Sequence, residues 1–249
     1  MKTAEFRITF DTVKKYDKIS RILMWISAAL MVAEIISESQ QYTTITYIMV
    51  VINCFTLVIF QIISFCKELL QFKAEQQKRK DLFDNSFGTK LSESCSEGYY
   101  SNDEVSSGYL KLAVNNFESV FFTYRIMKED LRNSIVRAIA IVLLFVCVSL
   151  LGLQNIYILI IQITLPITIF VDSIRFAVSY CRISDIYKDY RKLFEKKDGI
   201  READIINQLL NYTATLTAGS VLLNDKTYKR LNDSLSVEWE GLKRDFEIQ

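Results

Sequence analysis

Four stretches of this chain, residues 22–37, 42–65, 138–153 and 156–171, are largely apolar and hold no lysine or arginine. A helix needs about 20 such residues to cross ~30 Å of hydrocarbon. The run at 42–65 reaches that length by itself. The other three are about 16 residues each and need Arg21, Arg137 and Arg175 to snorkel from their edges. The third and fourth runs together give roughly 51 Å of helix at 1.5 Å per residue, so this second hairpin extends into its arginine-flanked ends, thins the bilayer, or dips in without fully spanning. Trp25 and Tyr42, near opposite ends of the first hairpin, suit interfacial anchoring. The first run lacks a small-residue cleavage site and a second, longer run follows at once, so it does not read as a cleaved signal peptide.

The net charge of +1 hides a strict segregation. Six basic residues precede the first run, eleven lie between the second and third, and thirteen follow the fourth, which accounts for all 30. The connections at 38–41 and 154–155 carry none. By the positive-inside rule the termini and the central segment are cytoplasmic. The expected fold is all-α: an integral membrane protein with four transmembrane helices in two hairpins and a helical cytoplasmic region. Its parts are an N-terminal cytoplasmic helix (1–21), the first hairpin (22–65), a cytoplasmic helical segment with a polar turn (66–137), the second hairpin (138–171) and C-terminal cytoplasmic helices (172–249).

Composition narrows the chemistry. Seven glycines and one proline leave little material for sheet turns or phosphate-cradling loops, and the absence of histidine removes the commonest general base and metal ligand. The five cysteines, at 54, 66, 95, 147 and 181, have no CxxC spacing. No enzyme activity, cofactor or metal is expected. An intramembrane enzyme would have only Glu34, Asp172 and scattered serines to work with.

The polar groups inside the runs are the candidate membrane and pore residues: Glu34, Asn53, Gln61 and Gln162, with Pro166 as a kink site in the fourth run. Asn53 and Gln61, eight apart, fall on broadly one face of their helix, where interhelical hydrogen bonding and pore lining both remain open. Outside the runs, Leu110, Val114, Phe117, Phe121, Tyr124, Met127, Leu131 and Ile135 predict one amphipathic helix leading into the third span. Phe176, Tyr180, Ile183, Tyr187, Tyr190 and Phe194 make a near-heptad stripe leaving the fourth, stopped at Asp198-Gly199. The two stripes are expected to pack together. Further helices are expected near 200–223 and 228–246.

A basic helix end, Lys78-Arg79-Lys80, joins a polar turn, Asp84-Asn85-Ser86, and is followed by Tyr99 and Tyr100. Arg79, Lys80, Asp84, Asn85, Ser86, Tyr99, Tyr100 and Arg125 are the candidate ligand-binding residues: cations and small donors for a phosphate, and tyrosines on which a base can stack. Anionic lipid headgroups are an equally simple partner for the basic cluster, and Asp-Asn-Ser is also an ordinary turn.

The two hairpins, the cytoplasmic termini and the basic helix leading to Phe83-Asp84 and Phe87-Gly88 resemble the bacterial SMODS-associating four-transmembrane pore-forming effectors of antiphage defence. Thr89-Lys90-Leu91 stands where that family carries a Pro-Trp-like element. The resemblance implies a homo-oligomer in the bacterial inner membrane that senses a cyclic oligonucleotide made by a partner nucleotidyltransferase, and then disrupts the lipid bilayer. Binding of nucleic acid duplex is not expected. The alternative is a membrane-anchored regulator or scaffold that forms no pore and binds a protein partner through its cytoplasmic helices.

Overall fold

In a computed structural model the described residues are 5–94, 96, 99–100, 102–150, 156–196 and 199–248, with backbone alone for 144–145, 148–150 and 156–165. They form six helices and no strand: α1 (Glu5–Ser39), α2 (Thr43–Phe87), α3 (Tyr109–Leu150), α4 (Ile156–Glu195), α5 (Glu202–Gly219) and α6 (Asp225–Asp245). Contacts divide the chain into two compact units. One comprises Met1–Phe10, Gln71–Asn133 and Phe176–Gln249; the other comprises Asp11–Leu70 and Ser134–Arg175.

The first unit is built on the two aromatic stripes. Val114, Phe117, Phe121 and Met127 of α3 are buried, as are Ile183 and Tyr190 of α4, because apolar residues at steps of three and four share one face of a helix. Phe117 is the centre. Its ring lies 5.4 Å from Tyr190, 5.3 Å from Phe194 and 5.3 Å from Trp239 of α6. Tyr124 stacks on Tyr187 at 4.8 Å. At the ends of these stripes Leu110 and Ile135 are exposed.

The tail helices start and stop for local reasons. Glu202 and Asp204 in the first turn of α5 complement the helix dipole. Asn224 caps α6 by accepting the Lys226 amide at 3.0 Å. Gly219 ends α5 where a Cβ would sit 2.1 Å from Ser179 Oγ, so only glycine permits this approach to α4. The turn expected at Asp84-Asn85-Ser86 lies instead inside α2, which continues to Phe87 and ends at Gly88 with φ +68°. Asn85 donates back to the Asp81 carbonyl at 2.9 Å, and the Asp84 side chain bonds to the loop that follows, so neither side chain breaks the helix.

In the second unit α1 and α2 form an antiparallel hairpin. Val13, Ser20, Ser27 and Glu34 are buried at intervals of seven, and so are Thr46, Asn53 and Phe60. A 3.5-residue period is that of a left-handed coiled-coil seam. The outward face of α2 carries Ile48, Ile52, Phe55, Ile59 and Ile62, all exposed. Trp25, Ile26 and Ile36 do the same on α1. Among the described residues, α1 and α2 are the two helices long and apolar enough to cross a membrane. Lys67 pairs with Asp17 at 3.4 Å and Arg175 with Glu68 at 2.8 Å, beyond the ends of the apolar runs. α4 runs unbroken through Pro166, which is buried.

Candidate functional site

Two cavities in the first unit meet at Arg79. The larger, about 550 Å³, is lined by Arg79, Phe83 and Phe87 of α2, Tyr109 and Leu112 of α3, and Ile206, Leu209, Leu210 and Thr213 of α5. That volume lies in the range of small-molecule sites, which are mainly apolar with a few placed polar groups. Arg79, Phe83 and Phe87 share a face because they are four residues apart. Phe83 stacks on Phe87 at 6.0 Å, and Phe87 meets Tyr109 edge-on at 5.3 Å. The Arg79 guanidinium is half-buried and makes no hydrogen bond or ion pair with the described residues.

Beneath it lies a pit of about 10 Å³, lined by Glu75, Lys78, Arg79, Tyr100, Asn116, Ser119 and Tyr212 among others. This is room for about one water. Asn116 is wholly buried; its amide donates to the Tyr190 hydroxyl at 2.5 Å, and its carbonyl oxygen has no partner among the described residues. Burial pushes the Tyr100 phenol well above its ordinary range, so it stays a neutral hydroxyl. Burial also raises the Glu75 carboxyl, against the opposing pull of Lys78 and Arg79.

The other expected ligand residues lie elsewhere. Lys80 is exposed and lines neither cavity. Asp84 latches the loop after α2: it accepts the Leu91 amide at 2.7 Å, the Ser92 amide at 2.8 Å and the Thr89 hydroxyl at 2.7 Å, and the Ser92 hydroxyl as well. Burial alone would raise its carboxyl, but these donors hold it below the usual range. Asn85 bridges Asp81 and Ser96, and Ser86 gives its carbonyl to the Gly108 amide at 2.9 Å. Tyr99 packs edge-on against Phe6 and Tyr100 with Arg7 over its ring. Arg125 pairs with Glu238 of α6 and lies over Phe121. Of the eight residues, Arg79 and Tyr100 line the cavities.

Sequence reasoning did not reach the α5 wall or Asn116. It also missed Asn102, a buried hub that donates to Asn115 at 2.9 Å and Glu118 at 2.7 Å and accepts from the Trp239 indole at 3.4 Å. The four-residue spacing of Arg79, Phe83 and Phe87 is the local signal that could have pointed to the larger cavity.

In the second unit the polar side chains of the first hairpin meet across the seam. The Asn53 amide donates to Glu34 Oε1 at 3.0 Å, and the Ser27 hydroxyl donates to Asn53 Oδ1 at 2.7 Å. Thr46 donates to Ser37 at 2.9 Å, and Ser20 lies 3.1 Å from Ser64. Glu34 is 0% exposed. Asn53 thus makes interhelical hydrogen bonds, whereas Gln61 is exposed on the apolar side. Eight residues turn a helix by about 800°, which leaves Gln61 some 80° from Asn53. The Gln162 side chain lies outside the described residues.

Comparison with protein-family models, with curated proteins and with solved structures gives no match.

Proposed function

We propose that this chain is a membrane-disrupting, pore-forming effector of a bacterial antiphage defence system, held in the inner membrane by four spans with both termini in the cytoplasm. The observation that carries the reading is the inverted polarity of the α1–α2 hairpin. Its outward positions are Ile, Phe and Trp, while Ser27, Glu34 and Asn53 are turned inward. In water this arrangement exposes a large apolar surface; in hydrocarbon it hides the polar groups and presents the apolar ones. In this reading the third and fourth spans would lie in α3 and α4, each of which joins an apolar run and an aromatic stripe in one helix.

The activating signal is a cytoplasmic anion with a flat or apolar body, and a cyclic oligonucleotide made by a partner nucleotidyltransferase fits that description. Arg79 would take a phosphate, and Phe83, Phe87 and Tyr109 would flank a base. Ligand binding in a homo-oligomer would then be relayed along α2, α3 and α4.

The test is dye release from liposomes carrying the purified full-length chain, challenged with a panel of cyclic di- and trinucleotides. Release with at least one of them, abolished by Arg79→Ala and retained in Lys80→Ala, supports the reading. Intact vesicles at every ligand and protein density overturn it and favour a membrane-anchored scaffold.

A further inference from the structure

We propose that the α1–α2 seam is the closed form of a cation-selective permeation path and that Glu34 sets its selectivity; the inference rests on the pore-forming reading above. The outward face of this hairpin, mainly Ile, Phe and Trp, is a poor lining for a water path. The polar side chains of the two helices lie instead on the seam: Ser20 meets Ser64, Ser27 and Glu34 meet Asn53, and Ser37 meets Thr46, with Ser20, Ser27 and Glu34 recurring at intervals of seven along α1.

Glu34 is the single charged residue in all four apolar runs. A carboxylate at membrane depth tends to face a bundle interior or water, and rings of Asp or Glu are how cation pores select. The Asn53 hydrogen bond to Glu34 is of a kind water can replace. Asn53 gives it one amide hydrogen at 3.0 Å, and Ser27 steadies Asn53 at 2.7 Å. When the hairpins of several copies part and reassociate, Ser27, Glu34 and Asn53 turn toward the lumen while Phe55 and Ile62 keep facing lipid. Each copy then contributes one carboxylate to a ring. The neutral seam residues supply a wet wall that does not discriminate by charge, so the sign of the permeant ion follows from Glu34 alone.

A purely structural role for Glu34 as a register lock predicts something different. Glutamine retains the Oε1 acceptor that Asn53 uses and puts an amide NH2 in place of the second oxygen, so Glu34→Gln keeps the Asn53 contact and removes the charge. The experiment is single-channel or macroscopic recording of the full-length chain in planar bilayers under a KCl gradient, opened with the cyclic di- and trinucleotide panel. The wild type is expected to reverse near the potassium equilibrium potential. Glu34→Gln should conduct with a reversal potential near zero, Glu34→Lys should reverse on the chloride side, and Glu34→Asp should match the wild type. Gln61→Glu, on the lipid side, should leave the wild-type reversal potential unchanged. A wild type that conducts without distinguishing potassium from chloride, or a Glu34→Gln variant as selective as the wild type, overturns the assignment and leaves the pore reading standing. A wild type that never conducts overturns the pore reading itself. If Glu34→Gln fails to insert, the contrast between Glu34→Asp and Glu34→Lys decides the same question.

Discussion

The two units differ at their centres. Around Phe117 the interior is a stack of aromatic rings from α3, α4 and α6, with the part-exposed Arg125–Glu238 pair at its edge. In the α1–α2 hairpin the interior holds a glutamate, an asparagine and several hydroxyls, and the exterior is apolar. On the proposed membrane reading one chain carries two solvents in its design: the first unit is stabilised by removing apolar surface from water, and the second keeps polar surface away from hydrocarbon. A charge placed on the outward face of α2 should therefore be costly, whereas a charge placed on the exposed surface of the first unit should be nearly silent, which provides ways to break the comparison.

The largest effect belongs to Phe117→Ala. It removes a fully buried ring that five aromatic neighbours surround, and should cost about 3–5 kcal/mol. Thermal unfolding of the full-length chain in detergent, followed by Trp239 fluorescence, would register it as a lower midpoint. Next is Phe55→Lys, at the centre of the exposed face of α2. In hydrocarbon a lysine there costs roughly 2.5–3.5 kcal/mol, and the membrane-extracted fraction should fall. In water the same change at a 66% exposed position would be almost silent, so wild-type-like extraction would break the contrast between the units.

The Asp84 latch should come third. Replacing Asp84 with Asn removes a charge that gathers four donors and should cost about 2 kcal/mol. Faster hydrogen exchange of the Leu91 and Ser92 amides would report it. Because the folded carboxyl is depressed below the unfolded value of about 3.9, its contribution is fully present above that pH and is lost as pH falls through the lower folded value. Smallest is Arg125→Ala, which breaks a half-exposed ion pair with Glu238 and removes a contact with Phe121. It should shift the unfolding free energy by under about 1 kcal/mol.

The stripes of α3 and α4 were legible because each is a local pattern at helical spacing, and residues such as Phe117 and Tyr190 could be assigned to a buried face before any partner was known. The polar turn was not. Asp84, Asn85 and Ser86 have turn-forming side chains, but here those side chains bond to Asp81, to residues 89–92 and to Asn115, and the helix runs on to Gly88. Arg79 and Tyr100 are found at the cavities while Lys80 and Arg125 are not, since the cavity walls are completed by α5, more than a hundred residues along the chain.

By itself the sequence determined the helical class, the apolar runs free of lysine and arginine, and the aromatic faces, because periodicity and composition are properties of neighbouring residues. Tertiary structure alone decided which polar groups face each other. Asn53 takes Glu34 as its partner and leaves Gln61 on the apolar side, and Arg79 reaches a mainly apolar cavity without a hydrogen bond or ion pair to the described residues. Such pairings depend on how distant helices are set in register, and no local spacing encodes that.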